Sequence, residues 1–519
     1  MNPKSKTPTL KFNMSQPEPN SEPEKEKPRL ESAFKDGGFN ACIDALKEEI
    51  KTLYLEDSVP WILGYSGGKD STAILQLIWC AIQDLPIEKR NKIIHVISTD
   101  TLVENPVVAS WVEHSLKVMK EAANNQNMPI NPHRLTPTVS DSFWVNLIGR
   151  GYPAPRHKFR WCTERLKIKP SNTFILNMIK NSGEAILVLG TRKAESVRRA
   201  ANMIKLEAGR VRKRLSNNAS LPGSLVYTPI ESWTNDDVWF YLMQVQNPWG
   251  YTNRDLLGMY AGASADGECP LVVDTSTPSC GDSRFGCWVC TLVEKDKSMS
   301  AMIHNDAEKE WMMPLLEIRN ALDFRQMPGA DENSSDRKLR DYRRMNGSVQ
   351  LFFDRVIPGP YLQEVREDWL RRLLKAQTWI RKNGPADVKN ITLLTMDEIN
   401  EIRRIWVIDK HEIEDRLPAI YEECTGEKFI GNTVDDSQTY GDRELKILKE
   451  VCGNDRNQYE LARSLISIAS QHKTGQKRAK LHSEFTSQFR RHSYSSAEEA
   501  LNDKLKEEAK RKLVEGEKE

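Results

Sequence analysis

The chain has 519 residues, with 75 Lys and Arg against 73 Asp and Glu, a formal net charge of +2 at pH 7. Its 39% hydrophobic and 29% charged residues exclude collagen-like, wholly disordered and membrane-embedded chains, and at roughly 100–200 residues per domain the length is a prior for two to four domains. So balanced a charge demands no nucleic-acid partner by itself, and any such partner has to be argued from local basic patches.

The first 30 residues hold six prolines and few large apolar side chains, too little buried surface to offset ordering entropy. Residues 1–33 are read as a disordered lead-in, and the absence of an apolar signal-peptide core predicts a cytoplasmic protein with reduced thiols. The longest apolar stretches, such as Ala73 to Ile82, are about half of what a bilayer crossing requires, so no membrane is expected. From Phe34 to Leu53, Ile43, Leu46, Ile50 and Leu53 recur at helical spacing, and Trp61 to Tyr65 reads as a short buried strand. A helix is predicted over Thr72 to Gln83, a strand over Lys92 to Asp100, a helix to about Ala123, and another strand over Glu184 to Gly190. This alternation predicts an α/β domain over 34–300 with a mostly parallel sheet, whose ligands sit at the carboxyl ends of the strands. Beyond 300 the segments Trp311–Ala321, Glu364–Lys382, Met396–Ile408, Arg443–Val451 and Gln458–Ser470 read as helices, giving a mainly helical region over 301–495. Residues 496–519 read as a charged terminal helix or tail.

Between the first strand and its helix lies Ser66-Gly67-Gly68-Lys69-Asp70-Ser71. Two residues without Cβ let the backbone turn sharply and approach a ligand, and the helix N-terminus aims free N–H groups and partial positive charge at the same point. Ser66 and Ser71 can donate hydroxyls to phosphate, Lys69 adds a point charge, and Asp70 can cap the helix or hold a Mg²⁺ that bridges phosphates. A tight turn with an N-cap is the plainer reading of the same residues.

Five of the nine cysteines fall between 162 and 290, namely Cys162, Cys269, Cys280, Cys287 and Cys290. The Cys-x-x-Cys pair at the end lets one turn place two thiolates on one metal, and the spacing leaves zinc and an iron-sulfur cluster both open. Cys42, Cys80, Cys424 and Cys452 stand singly and read as buried apolar residues.

The hexapeptide resembles the Ser-Gly-Gly-x-Asp-Ser loop of the PP-loop ATP pyrophosphatase superfamily (adenine nucleotide alpha hydrolase-like), which cleaves ATP between the α and β phosphates on a mostly parallel sheet with helices on both faces. Gly190-Thr-Arg192-Lys-Ala-Glu195-Ser196 and Pro229-Ile-x-x-Trp233-Thr-x-x-Asp237-Val-Trp239 resemble the matching segments of PAPS and APS reductases. Trp161-Cys162-Thr-Glu-Arg165 resembles the Cys-Cys-x-x-Arg motif of cluster-bearing APS reductases, with Trp161 in place of one cysteine. Together with Asp100 to Pro106 and Gly151 to Cys162, these motifs are similar to the PP-loop sulfurtransferases of DNA phosphorothioation systems over roughly 35 to 300.

That resemblance implies ATP and Mg²⁺ held by Ser66, Gly67, Gly68, Lys69, Asp70, Ser71, Asp100, Gly190 and Arg192, with Lys69, Asp70, Ser71 and Arg192 catalytic. It implies a [4Fe-4S] cluster on Cys162, Cys280, Cys287 and Cys290. As partners it implies DNA, a cysteine desulfurase that supplies sulfur, and other subunits of a phosphorothioation complex. The alternatives are a PAPS or APS reductase, for which Glu450-Val-Cys452-Gly453 is displaced from the usual motif, a tRNA-thiolating enzyme, and a non-enzymatic metal-stapled DNA-binding scaffold. Trp233 and Trp239 are expected in the core, and Glu195 is expected to pair with Arg192 or Arg198. Nine Lys or Arg between Arg192 and Arg214, against Glu195 and Glu207, make that stretch a candidate DNA surface with salt-dependent affinity. A solvated face is the plain alternative.

Overall fold

A computed structural model describes residues 31–263, 285–326, 336–353, 355–431, 439–453, 455–472 and 480–516, apart from residues 213 and 219. The lead-in over 1–30, Cys269 and Cys280 lie outside the described residues.

Seven strands make the main sheet: β1 (Trp61–Gly64), β2 (Ile94–Thr99), β3 (Ile130–Leu135), β4 (Ala185–Val188), β5 (Arg210–Arg212), β6 (Leu215–Asn217) and β7 (Ser224–Tyr227). They lie in the order β3-β2-β1-β4-β7-β6-β5. Neighbours from β3 through β7 pair parallel, and β6 and β5 add an antiparallel edge. The predicted mostly parallel sheet is what forms.

Side chains alternate across it as strand geometry requires. Trp61 and Leu63 of β1 and Ile186 and Val188 of β4 join one core with α1 (Phe39–Glu56), α2 (Lys69–Gln83) and α3 (Pro106–Asn125). Ile62, Ala185 and Leu187 face the other way, onto Ile175 of α4 (Lys169–Ser182). With helices on both faces, the parallel strands are buried on both sides, which is why they read as continuous apolar runs. The chain runs outward from β1 to β3 and returns to β4 on the opposite side of β1, so the carboxyl ends of β1 and β4 flank the point where strand order reverses, the usual place for a ligand in such a sheet.

After β4 come α5 (Val197–Ala208), then α6 (Asn235–Gln244) and α7 (Asn253–Gly262). Thr234 caps α6: its hydroxyl accepts from the Asp237 N–H at 3.1 Å, and Asp237 accepts from the Thr234 N–H at 2.8 Å. The same carboxylate takes the Ala33 N–H at 3.0 Å and the Ser32 hydroxyl, so residues 32 and 33, read as part of the lead-in, are fastened to the domain. Trp233 and Trp239 are core residues, as expected.

The remaining helices are α8 (Lys297–Asn305), α9 (Met313–Leu322), α10 (Gln363–Asn383), α11 (Met396–Arg404), α12 (Leu417–Thr425), α13 (Asp442–Cys452), α14 (Arg456–Gln471), α15 (Leu481–Arg491) and α16 (Ala497–Gly516). The predicted helical region is thus present, and α16 sends one fully buried side chain, Ala500, inward. A second apolar core joins this region to the sheet domain: Phe143, Trp144, Ile148 and Trp161 pack with Trp288, Met312, Leu370, Leu373 and Trp406. Trp406 also donates its indole N–H to the Ile148 carbonyl at 2.9 Å. Trp406→Ala removes both the packing and the donor. It should lower unfolding free energy by about 3–5 kcal/mol, the usual cost of a buried Trp-to-Ala cavity, measurable as a shifted urea midpoint.

Candidate functional site

The loop after β1 is shaped by Gly67, whose φ of +74° lies in the left-handed region. A Cβ there would stand 2.5 Å from Cγ2 of Val112 on α3, so glycine is required both for the turn and for the approach. Helix α2 starts at Lys69, three residues before the expected Thr72, with Gly68 as its N-cap. Asp70 therefore sits in the first turn and does not cap: its Oδ1 is engaged by Arg192 Nε at 2.7 Å. Ser71 holds the loop from below, its hydroxyl donating to the Gly68 carbonyl at 3.0 Å and accepting from the Ser66 N–H at 3.2 Å.

Arg192, on the loop after β4, is 3% exposed and also donates to the Trp233 carbonyl at 3.3 Å. Its Glu195 neighbour, at the end of the turn before α5, accepts the Arg192 N–H at 3.0 Å and pairs through its side chain with Arg199 in the first turn of α5, rather than with either expected side chain. Gly190 lies against the loop, where a Cβ would come within 3.1 Å of the Asp70 backbone. Asp100, at the end of β2, accepts the Leu102 N–H at 2.8 Å and Arg134 Nε at 3.0 Å.

These pieces enclose a cavity of about 700 Å³, lined by Ser66, Gly67, Gly68, Lys69, Asp70, Asp100 and Arg192 among others. Ser71 and Gly190 support its wall from behind. The volume falls within the usual range for small-molecule sites, and the helix N-terminus with Lys69 gives one end an anion-binding character. The lining also holds Tyr260, Lys167 and Glu104, none of them among the expected site residues. Tyr260 of α7 accepts from the Lys69 N–H at 3.4 Å and lies under its ammonium, 5.3 Å from ring centre to Nζ; burial pushes its hydroxyl up to about 12. Lys167 and Glu104 form an ion pair at 3.2 Å. Glu104 falls within the Asp100 to Pro106 segment, whereas no local motif marks Tyr260 or Lys167, which arrive from distant parts of the chain.

Glu104 leads to the thiols. Cys287 sits in an antiparallel bridge with Glu104, fixed by the Trp288 N–H on the Val103 carbonyl at 2.9 Å and the Asn105 N–H on the Gly286 carbonyl at 3.2 Å. Its Sγ lies 3.3 Å from Thr101 Oγ1 and 3.7 Å from Glu104 Oε1. Burial, then the Glu104 charge, pushes the Cys287 thiol up to about 12. A turn from Cys287 to Cys290 is closed by the Cys290 N–H on the Cys287 carbonyl at 3.0 Å, and Cys162 is raised by burial and then by its neighbour Cys290. Burial pulls Lys167 down, yet the charges of Cys287 and Glu104 outweigh it and hold the ammonium protonated well above its ordinary range. Arg319, fully buried, donates to the carbonyls of Cys290 at 3.1 Å and Glu294 at 3.0 Å and so props the loop that follows.

Three of the four expected ligands, Cys162, Cys287 and Cys290, are thus neighbours, while Cys280 lies outside the described residues. Among the described residues no three His, Cys, Asp or Glu side chains stand close enough together to hold a metal.

The basic stretch is largely neutralised in space. Lys193 pairs with Glu207 at 2.5 Å, Arg210 with Glu231 at 3.1 Å, Arg212 with Glu184 at 2.6 Å and Asp57 at 3.3 Å, and Arg214 with Glu49 at 2.7 Å. Arg198 and Lys205 are exposed without an ion pair among the described residues. The count along the sequence overstated the free charge because four of these carboxylates, Asp57, Glu49, Glu184 and Glu231, come from other segments.

Residues 60–250 match the phosphoadenosine phosphosulfate reductase domain family. This stretch of the chain, with the Ser66–Ser71 loop at the switch point of a mostly parallel sheet, is similar to that domain. An uncharacterized protein of Methanocaldococcus jannaschii is 27% identical over 200 residues, which are 38% of this chain and 35% of that protein, so the chain spans about a third of that curated relative's length. A solved phosphoadenylyl-sulfate reductase from Candida auris, in a phosphate complex, aligns over 42% of this chain and 90% of its own at 15% identity, with a TM-score of 0.25. Among the described residues no helix is long and apolar enough to cross a membrane.

Gly67→Ala should strain the loop, costing roughly 1–3 kcal/mol where a side chain is forced into left-handed backbone. The expected result is loss of ATP binding in a titration calorimeter, with the circular dichroism of the folded chain retained.

Proposed function

We propose that this chain is a PP-loop sulfurtransferase of the DndC type, which uses ATP to activate a backbone phosphate of DNA for replacement of a non-bridging oxygen by sulfur. One observation carries this reading: Glu104 and Lys167 line the cavity that the phosphate loop closes, and the same two side chains reach the thiol group through Cys287. Nucleotide chemistry and thiol chemistry therefore share one wall.

In this account the triphosphate lies along Ser66 to Ser71. The N–H groups at the start of α2 and the Lys69 ammonium are fixed in advance where charge builds on the departing pyrophosphate, a use of preorganised electrostatics. Asp70, oriented by Arg192, would hold Mg²⁺. Arg192 acts mainly by keeping that carboxylate in place and by adding positive charge to the wall. An oxygen of the DNA phosphate displaces pyrophosphate from the α-phosphorus, the terminal sulfur of a persulfide formed by the cysteine desulfurase then displaces AMP from the DNA phosphorus, and a second thiol cleaves the S–S bond, leaving the phosphorothioate and a disulfide. Cys162, Cys280, Cys287 and Cys290 would hold the [4Fe-4S] cluster, which when bound supplies a redox-active, sulfur-rich centre beside the cavity.

His157, Lys158, Phe159 and Arg160 are exposed on the turn before Cys162, a basic and aromatic combination suited to a nucleic-acid strand. This turn, with Arg198 and Lys205, takes the place of the full basic stretch as the proposed DNA contact. Other subunits of a phosphorothioation complex would dock on the helical region.

A reductase acting on an adenylated sulfate is the second reading, favoured by the family match over 60–250. Against it, Cys452 ends α13 and is not among the residues lining the cavity. The two readings separate in one assay. With ATP, Mg²⁺, a cysteine desulfurase, L-cysteine, a thiol reductant and duplex DNA under anaerobic conditions, nuclease digestion should yield phosphorothioate-linked dinucleotides detectable by mass spectrometry. Asp70→Asn, which keeps a hydrogen-bond acceptor for Arg192 but not its counter-charge, should, in protein whose circular dichroism shows the folded chain, reduce the yield by about two orders of magnitude or more, as for loss of one preorganised electrostatic group. Wild-type protein that reduces an adenylated sulfate and leaves DNA unmodified would establish the reductase instead.

A further inference from the structure

The helical region contains a second cavity, of about 180 Å³, that the nucleotide chemistry does not use. It is bounded by the start of α10, the turn at 409–412, α14, α15 and the loop at 341–345. Its walls carry six arginines and Lys410 against four carboxylates.

Those carboxylates are already shared out. Glu412 is engaged by Arg366 on both oxygens. Asp341 accepts Arg343 Nε at 3.0 Å and lies 3.4 Å from Arg491, and Glu460 accepts Arg343 at 2.9 Å and Arg456 at 2.9 Å. Asp409 is taken by Arg404, outside the cavity, at 3.0 Å. Two donors are left over. The Lys410 ammonium makes no hydrogen bond or ion pair among the described residues, and the Nε of Arg463, a residue 7% exposed, is buried without a partner. Burial and then the charge of Arg366 pull the Lys410 ammonium down to about 7, with Arg491 adding to the effect. The Glu412 and Asp341 charges offset this only in part, and a cluster arranged only for stability would not leave a lysine beside two guanidinium groups without a direct ion pair, because such a charge is costly.

We infer that this cavity is a binding site for a compact oxyanion of the phosphate class, held by Lys410 with the free edges of Arg463 and Arg491. Arginine forks match tetrahedral oxyanions, and the volume is well below the roughly 300–1,000 Å³ of sites that take whole organic ligands, so a base and sugar would remain outside. The anion is either a free ion, such as phosphate, or one phosphate of a polynucleotide backbone. The inference stands independently of the proposed reaction, since no residue of the phosphate loop takes part.

The test titrates inorganic phosphate into the full-length protein by calorimetry, with chloride at matched ionic strength as control and ATP present to occupy the phosphate loop. Wild type should bind phosphate saturably, and Lys410→Met should weaken that binding by about tenfold or more, the equivalent of one charged hydrogen bond. Without phosphate, Lys410→Met should melt no lower than wild type, because it relieves an unpaired charge, whereas a purely structural lysine would lower the melting temperature on removal. Arg491→Gln serves as the second variant and should also weaken phosphate. A short DNA duplex assigns the source: weaker duplex binding by Lys410→Met with competition by phosphate supports a backbone phosphate, and unchanged duplex binding supports the free ion. No saturable binding by wild type beyond chloride, or full affinity in both variants, would overturn the inference.

Discussion

The buried ion pair between Arg192 and Asp70 holds the carboxyl edge of the sheet together. It links the loop after β4 to the first turn of α2 at 2.7 Å, across the point where strand order reverses. Arg192 is almost wholly removed from water and Asp70 largely so, and removing one partner from such a pair typically costs about 3–5 kcal/mol because the other charge is stranded. Gly190 allows the two loops to meet and Gly67 allows the first to turn. Together they fix the path of the Ser66–Ser71 loop and the direction of the N–H groups at the start of α2.

A second consequence follows from how the helical region attaches. Its core is continuous with Phe143 to Trp161 and with Trp288, the segments that carry or flank Cys162, Cys287 and Cys290. Helix α9 contributes Arg319, whose guanidinium gathers carbonyls of the loop after Cys290. The helices beyond residue 300 are thus part of the scaffold that positions the thiols beside the nucleotide cavity, and a perturbation of one core is felt at the other.

Much of this was legible in the sequence. The strand, glycine turn and helix around Ser66 to Ser71 form a local pattern, and so do the apolar runs of β1, β2 and β4, because each is buried on both faces. What escaped was non-local. β3 contains Pro132 and little alternation, which an edge strand tolerates because only one side pairs, here with β2. The strands β5 and β6 are three residues each, and β5 carries Arg210 and Arg212, whose partners lie on other segments, so a charge count along the chain overstates the free charge of that surface. Tyr260, Lys167 and Arg319 reach the site from separate helices, and no spacing rule connects them to the loop. The grouping of the cysteines was readable along the chain, and Cys290 interacts electrostatically with both Cys162 and Cys287, while Cys280 and Cys269 fall outside the described residues.

The central claim is that the loop at the end of β1 cleaves ATP between its α and β phosphates. The most direct measurement is product identity: full-length protein incubated with ATP, Mg²⁺ and duplex DNA, the nucleotides resolved by chromatography and the inorganic products assayed separately. AMP and pyrophosphate in equal amounts are the predicted products. ADP with inorganic phosphate, or intact ATP under every condition, would contradict the account.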